Sequence, residues 1–432
     1  MAPFHRMLHT SGMEEKGVFV GKGSFRVDRT AALKKLGAFQ LEDADLLVPW
    51  VRLAVCSGAK RLSVVFRKGR VGVAFDGRRL PAAAVKDPLS ALLASEGRRP
   101  ELVYLAAGML GLERVAEKPL LSSGPGGTFC SAGIVWEAPL LAARRALAGA
   151  LAFCPLELLL DGGPVAEPRR DGLEWREGGL SFAAVRSADP WRKESRIRFS
   201  VHGALAQAVE RDTPWASVEA VVRDDSLALD ASLSKVVAGP AVDGLVESLG
   251  GRLRELVRRE AMNQVKAAER LNGLLADKDF RGAWRGAPYP EEGAFRRLAQ
   301  RFLREKPLPR EPYEALLRAR LRVRWLRACI KGRLQSYDAE MRDKPRRALW
   351  NAPLFPNADG DWLSYRKLVR LRRNFGGLAV VSKPVRWADL RVSIGDLRNI
   401  PVRAPHLVWR ACRDDESDLV RLFGADAVQK AA

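Results

Sequence analysis

Leu46-Leu-Val-Pro-Trp-Val-Arg-Leu-Ala-Val-Cys-Ser-Gly-Ala-Lys-Arg61 is an apolar run of helix length closing in a small-residue turn. Two alternating segments follow at once. Leu62 to Phe66 and Val71 to Phe75 flank Lys68-Gly69-Arg70, which predicts a β-hairpin ending in Asp76-Gly77. On a helix, Pro49, Leu53 and Cys56 stand at i, i+4 and i+7 and share one face. Working outward, Ser24 to Val27 predicts a strand and Thr30 to Phe39 a helix. Leu102 to Leu112 reads as helix and Thr128 to Trp136 as strand. Helices and strands in this order predict an α+β sandwich over about residues 1–139.

A second unit is expected over about 140–280. It would contain the helix Leu141 to Ala152 and strands near 156–160, 180–185, 196–201, 218–222 and 227–230. A long helix from Ala241 to about Ala276 closes it. The loop Lys278 to Glu292 holds Gly282, Gly286, Pro288 and Pro290 and is the expected boundary with a third region, 281–432. That region begins with an Arg-rich helical stretch, Phe295 to Arg347, and returns to short strands and helices after Trp350.

The hairpin segment resembles the nucleotide site of the GHKL superfamily, which includes heat-shock ninety chaperones, MutL and histidine kinases. In that family a helix carries a general-base Glu, a magnesium-binding Asn four residues on and an Asp three further. A small-residue turn and a hairpin then lead to an Asp-x-Gly motif whose Asp accepts from the adenine amino group. Here the resemblance places Ser57 to Arg61 at the turn and Asp76-Gly77 at the adenine end. It places Pro49, Leu53 and Cys56 where the base, the metal ligand and the Asp would stand. Proline takes no proton and leucine offers Mg²⁺ no oxygen. Ser123-Gly-Pro-Gly-Gly127-Thr128 is similar to the family's late Gly-Thr motif, so Asp76, Gly77, Gly127 and Thr128 are the expected nucleotide contacts. Asp-Gly turns and strand-opening Gly-Thr pairs also occur with no ligand. Leu105-Ala-Ala-Gly-Met-Leu-Gly111 stands where a phosphate-covering glycine loop would be.

Asp225-Ser-Leu-Ala-Leu-Asp-Ala-Ser-Leu-Ser-Lys-Val-Val237 looks like the heat-shock ninety middle-domain run that carries an Arg to the ATP γ-phosphate, with Leu233 at the Arg position and Lys235 two residues on. The resemblance covers roughly residues 20 to 275. It implies a divergent chaperone-like or scaffold protein with a degenerate, non-hydrolysing pocket for ATP or ADP, weakly bound and without metal. A protein client or assembly partner is implied with it. An active ATPase would need an unconventional base such as Glu42 or Asp45.

Charge supplies the alternative. The chain of 432 residues carries a net +22. Residues from 281 onward hold 33 Lys+Arg against 17 Asp+Glu, so the basic character sits in the last third. Arg318, Arg320, Arg322, Arg324, Arg327, Lys331 and Arg333 alternate with Leu317, Leu321, Trp325 and Ile330, the pattern of an amphipathic helix with a basic side. That side would be solvated or would contact nucleic-acid phosphates without reading bases. Trp325, Trp350, Trp362, Trp387 and Trp409 are expected in the core, and Asn357 to Asp361 as a turn.

Five scattered cysteines, at least 24 residues apart, argue for free thiols. His5 and His9 have helical ligand spacing but no third ligand nearby. No apolar stretch reaches membrane-spanning length, no secretory apolar core is visible and a cytoplasmic location is expected.

Overall fold

A computed structural model describes residues 42–90, 99–166, 172–230, 232–289, 298, 301–303, 308–331, 343–382, 391–394, 397–401 and 406–430. The expected strand and helix before Phe39, His5, His9, Arg333 and Trp387 lie outside them. The fold is mixed α+β, with several sheets and helices packed against them.

Helix α1 (Val48–Cys56) places Pro49 in its first turn, where a missing N–H removes no helix bond. Strands β1 (Arg61–Arg67) and β2 (Arg70–Phe75) pair Leu62 with Phe75 and Val64 with Val73, so the period-2 pattern turns one face inward. Lys68 and Gly69 both adopt positive φ, 51° and 70°, the two-residue turn whose twist suits a hairpin. After α2 (Ala82–Lys86), helix α3 (Pro100–Glu113) is apolar all round and buried from Tyr104 to Leu112. Gly108 on α3 lets the Trp50 indole lie against it, since a Cβ there would be 2.8 Å from the ring.

Strands β3 (Ala116–Gly124) and β4 (Gly127–Ile134), helix α4 (Glu137–Ala150) and strands β5 (Glu157–Leu160) and β6 (Gly163–Pro164) complete a six-stranded sheet. Its order is β3-β4-β2-β1-β5-β6. Residues expected to open the second unit thus belong to this layer: β5 runs parallel to β1, and Leu140, Ala143, Leu147 and Leu158 share its core.

A second sheet combines β7 (Leu173–Glu177), β8 (Leu180–Arg186), β9 (Glu194–Val201), β10 (Ala204–Leu205), β11 (Val209–Asp212) and β12 (Val218–Arg223). Its order is β10-β9-β12-β8-β7, with β11 beside β9. The predicted strand at 227–230 shortens to a single antiparallel bridge, Leu229 to Val236, with the Asp230 N–H donating to the Lys235 carbonyl and the Val237 N–H to that of Ala228. The Asp230 carboxylate accepts from the N–H groups of Ser234 and Lys235 and from the Ser232 hydroxyl, competing with a ladder. Helix α5 (Pro240–Ala276) lays Val242, Leu245, Leu249, Leu253 and Leu256 on Phe182, Ile197, Phe199 and Val222. That helical 3–4 spacing covers the sheet's apolar face.

The last third contains α6 (Arg281–Arg285), α7 (Arg310–Ile330), α8 (Lys344–Asn351), the pair β13 (Pro353–Pro356) and β14 (Trp362–Ser364), and α9 (Tyr365–Phe375). It continues through β15 (Leu378–Val381), the hairpin β16 (Arg391–Ile394) and β17 (Leu397–Pro401), β18 (Val408–Trp409), α10 (Arg413–Phe423) and β19 (Val428–Lys430). Strands β18 and β19 flank β15 in parallel. Asn357 to Asp361 forms the turn between β13 and β14, with Asn357 Oδ1 accepting the Asp361 N–H at 2.7 Å. Trp325, Trp350, Trp362 and Trp409 are buried. One core joins the second sheet, α5 and this third, running from Phe199 and Leu253 to Trp325, Phe355, Leu368 and Leu419.

Candidate functional site

Asp76 follows β2 directly, and its Oδ1 accepts the N–H groups of Lys60 at 2.7 Å and Arg61 at 2.9 Å. The Arg61 N–H, helped by that of Lys60, holds this exposed carboxyl below the usual carboxylate range. Gly77 touches the end of α1 so closely that a Cβ would run into Ser57 Oγ. Arg78 then ties down the same end, donating N–H to the Ser57 carbonyl and Nη2 to that of Cys56, both at 2.9 Å. Across the sheet, Gly127 has φ 118°, and a Cβ there would meet the Phe75 carbonyl. Thr128 pairs with Phe75, is buried, and shares a hydrogen bond with Ser123 Oγ at 2.9 Å.

All four residues singled out in the sequence therefore meet at one end of the first sheet. Their surroundings differ: Asp76 is open to solvent, whereas Thr128 is covered and already bonded. Gly108 and Gly111, expected in a phosphate-covering loop, are helical and buried in α3. Their backbone N–H groups lie within that helix, so this segment is no cradle for phosphate.

The face of α1 carrying Pro49, Leu53 and Cys56 offers no acid or base. Pro49 and Leu53 are buried, and burial, reinforced by Glu101 and Asp225, pushes the Cys56 thiol up to about 12. Beside this face Arg52 is buried and donates Nη1 to the Leu233 carbonyl at 2.5 Å and Nη2 to that of Leu205 at 3.2 Å. Leu233, with φ 58°, inserts into the first sheet's core. Thus the 225–237 segment comes against α1, joined to it by an arginine on the helix.

The basic stripe of α7 is largely used inside the molecule. Arg320 pairs with Asp414, and Arg322 Nε lies 3.3 Å from the buried Glu260 carboxylate. Arg324 Nε reaches Asp414 at 3.5 Å and Asp418 at 4.0 Å. Arg327 is fully buried. It pairs with Asp415 at 2.7 Å and Asp418 at 3.1 Å, donates to the Leu354 carbonyl and lies 3.8 Å above the Phe355 ring. Burial works against its charge, but Asp415 and Asp418 together outweigh it and raise its pKa. Of the seven cations expected on a basic side, these four correct that expectation. Arg318 is exposed beside Glu314, and Lys331 lies over Trp191.

The more open cations are on α9, where Lys367, Arg370, Arg372 and Arg373 are exposed on a helix with no acidic residue. The run from Tyr365 to Phe375, cationic at helical spacing around Leu368 and Leu371, was the sequence signal for that face. Four acids within Asp414 to Asp418 were the corresponding signal for internal pairing.

Among the described residues no group of three His, Cys, Asp or Glu could hold a metal ion, and no helix is long and apolar enough to cross a membrane. No family model matches the sequence, and no curated protein matches it.

Proposed function

We propose that the chain is a non-hydrolysing, chaperone-like scaffold built on a GHKL-type nucleotide-binding architecture, with a weak adenine-nucleotide site at Asp76, Gly77, Gly127 and Thr128. The observation that carries this reading is the meeting of the Asp-Gly and Gly-Thr motifs at one sheet end beside a helix whose catalytic positions hold Pro49, Leu53 and Cys56. The strand order β3-β4-β2-β1 and the approach of Leu233 to α1 support the same relationship. An ionised Asp76 suits an acceptor for an adenine amino group, and its exposure argues for low affinity.

Calorimetric titration of ATP and ADP into the full chain, with and without Mg²⁺, tests the reading. Weak binding that is indifferent to Mg²⁺ and lost in Asp76→Asn is the expected result. Magnesium-dependent binding with phosphate release, or binding untouched by the substitution, would overturn it.

The second reading, a salt-dependent contact with nucleic-acid phosphates, is favoured by the open cationic face of α9 rather than by α7.

A further inference from the structure

A cleft of about 250 Å³ lies where α1, β9 and the turns around Gln207 and Ser234 converge. Arg52, Arg196 and Arg198 line it, with Asp45 as the one carboxylate. Arg196 and Arg198 stand two residues apart on β9, so the strand's alternation puts both on the same face of the sheet. Arg52 comes from the facing helix and is 1% exposed.

Its two carbonyl acceptors leave the Nε–H without a partner, and it makes no ion pair with any described residue. Arg198 likewise has no carboxylate partner among them. Arg196 is flanked by Glu210 on β11, itself paired with Arg192, and by Glu219 on β12. Gln207 and Ser234 add neutral hydrogen-bonding groups, linked through the Gln207 N–H to the Ser234 carbonyl at 2.6 Å. The carbonyls at the last turn of α4, near Gly149 and Ala150, offset part of the positive potential. Among the lining residues three guanidinium groups stand against one carboxylate; with Glu210 and Glu219 flanking Arg196, the surplus of positive charge rests on Arg198 and Arg52.

Asp45 and Asp230 act on the buried Arg52 charge without pairing with it, and a buried charge that lacks a directly paired counter-charge is costly to a fold. Planar guanidinium groups match the oxygens of phosphate in two-point contacts. The volume falls below the roughly 300–1,000 Å³ of pockets for drug-sized ligands, which suits a small anion and a few waters. We infer that this cleft binds a phosphate-sized oxyanion, either free phosphate or the phosphoryl group of a small phosphomonoester. The site is separate from the Asp76 end and does not rest on the nucleotide reading.

The test titrates inorganic phosphate, and in a second arm glycerol 3-phosphate, into the full chain at an ionic strength held constant with NaCl. Saturable binding is expected, weakened about tenfold or more in Arg198→Ala and in Arg196→Ala/Arg198→Ala. Both positions lie on the solvent-reached face of β9, so the phosphate-free melting temperature checks that the variants fold. Tighter glycerol 3-phosphate would identify a phosphorylated small molecule, and equal or weaker binding free phosphate. Asp76→Asn should leave phosphate binding unchanged, which separates this site's failure from that of the nucleotide site. Absence of saturable binding, or equal affinity in the double variant, would overturn the inference.

Discussion

Asp225 illustrates how a single side chain holds the turns at one end of the second sheet. Its Oδ1 accepts the His202 N–H at 2.6 Å, fixing the turn at which His202 has φ 51°, and its Oδ2 pairs with Arg223 at 2.6 Å. Burial alone would raise this carboxyl. Arg223 and the His202 N–H outweigh it and hold the pKa below the usual value. A depressed folded-state pKa contributes stability that is present above the unfolded value, about 3.9, and is lost as pH falls through the folded value. Asp225→Asn should therefore cost about 1–2 kcal/mol at pH 7 in urea unfolding, with the gap to the parent shrinking below about pH 4. An equal gap at pH 3 would refute this role. The aspartate was legible in the sequence as the start of a suggestive run. Its actual partners were not, because His202 joins it only through the fold.

At the scale of elements, α7 and α9 exchange the roles their compositions suggest. Helix α7 carries the denser arginine stripe, yet α10 and α5 supply Asp414, Asp415, Asp418 and Glu260 to four of those arginines. Removing Arg327 would leave buried carboxylates uncompensated, a loss of about 3–5 kcal/mol in comparable pairs. Helix α9 buries Tyr365, Leu368 and Leu371 and turns Lys367, Arg370 and Arg373 outward. If phosphate backbone is a partner, the slope of log affinity against log salt for a short DNA duplex should fall by about 1 per cation removed. In Lys367→Glu/Arg370→Glu/Arg373→Glu, measured by fluorescence anisotropy, that slope should drop by at least this much per site. Arg318→Glu on α7 should change it little. A slope unaltered by the α9 substitutions would exclude that helix.

Over the whole molecule, the core does not stop at the glycine- and proline-bearing loop near 280. Trp325 donates its indole N–H to the Ser217 carbonyl at 2.9 Å, and Gln264 on α5 donates to the Pro353 carbonyl at 3.1 Å. Leu326, Leu354 and Phe355 share a core with Phe199 and Leu253. A chain ending at residue 280 would uncover this apolar surface. It should lose near-UV circular dichroism, bind a hydrophobic dye and be cut rapidly by protease, whereas the full chain should unfold cooperatively. A sharp thermal transition with native near-UV signal in the truncated chain would contradict a shared core. The boundary expected at 140 has a similar lesson. Helix α4 and β5 join the first sheet because Leu140, Leu147 and Leu158 complete its core, a contact that local periodicity does not encode.

Short-range order is where the sequence was sufficient. Alternation at 62–66 and 71–75 defined the hairpin, the 3–4 spacing from Val242 defined α5, and the small turn at Asn357 to Asp361 followed from its side chains. The residue types at 49, 53 and 56 also set their own chemistry, since proline and leucine have no titratable group in any fold. Tertiary structure alone decided which charges are free. Arg327 meets Asp415, and Arg52 meets the Leu233 and Leu205 carbonyls, because of partners far away along the chain, and the energy of a charge depends on those neighbours and on its burial. Helical and strand periods are local properties of a polypeptide. Ion pairing and desolvation are not, so the basic stripe seen in the sequence became an internal network and an isolated-looking arginine became the lining of a cleft.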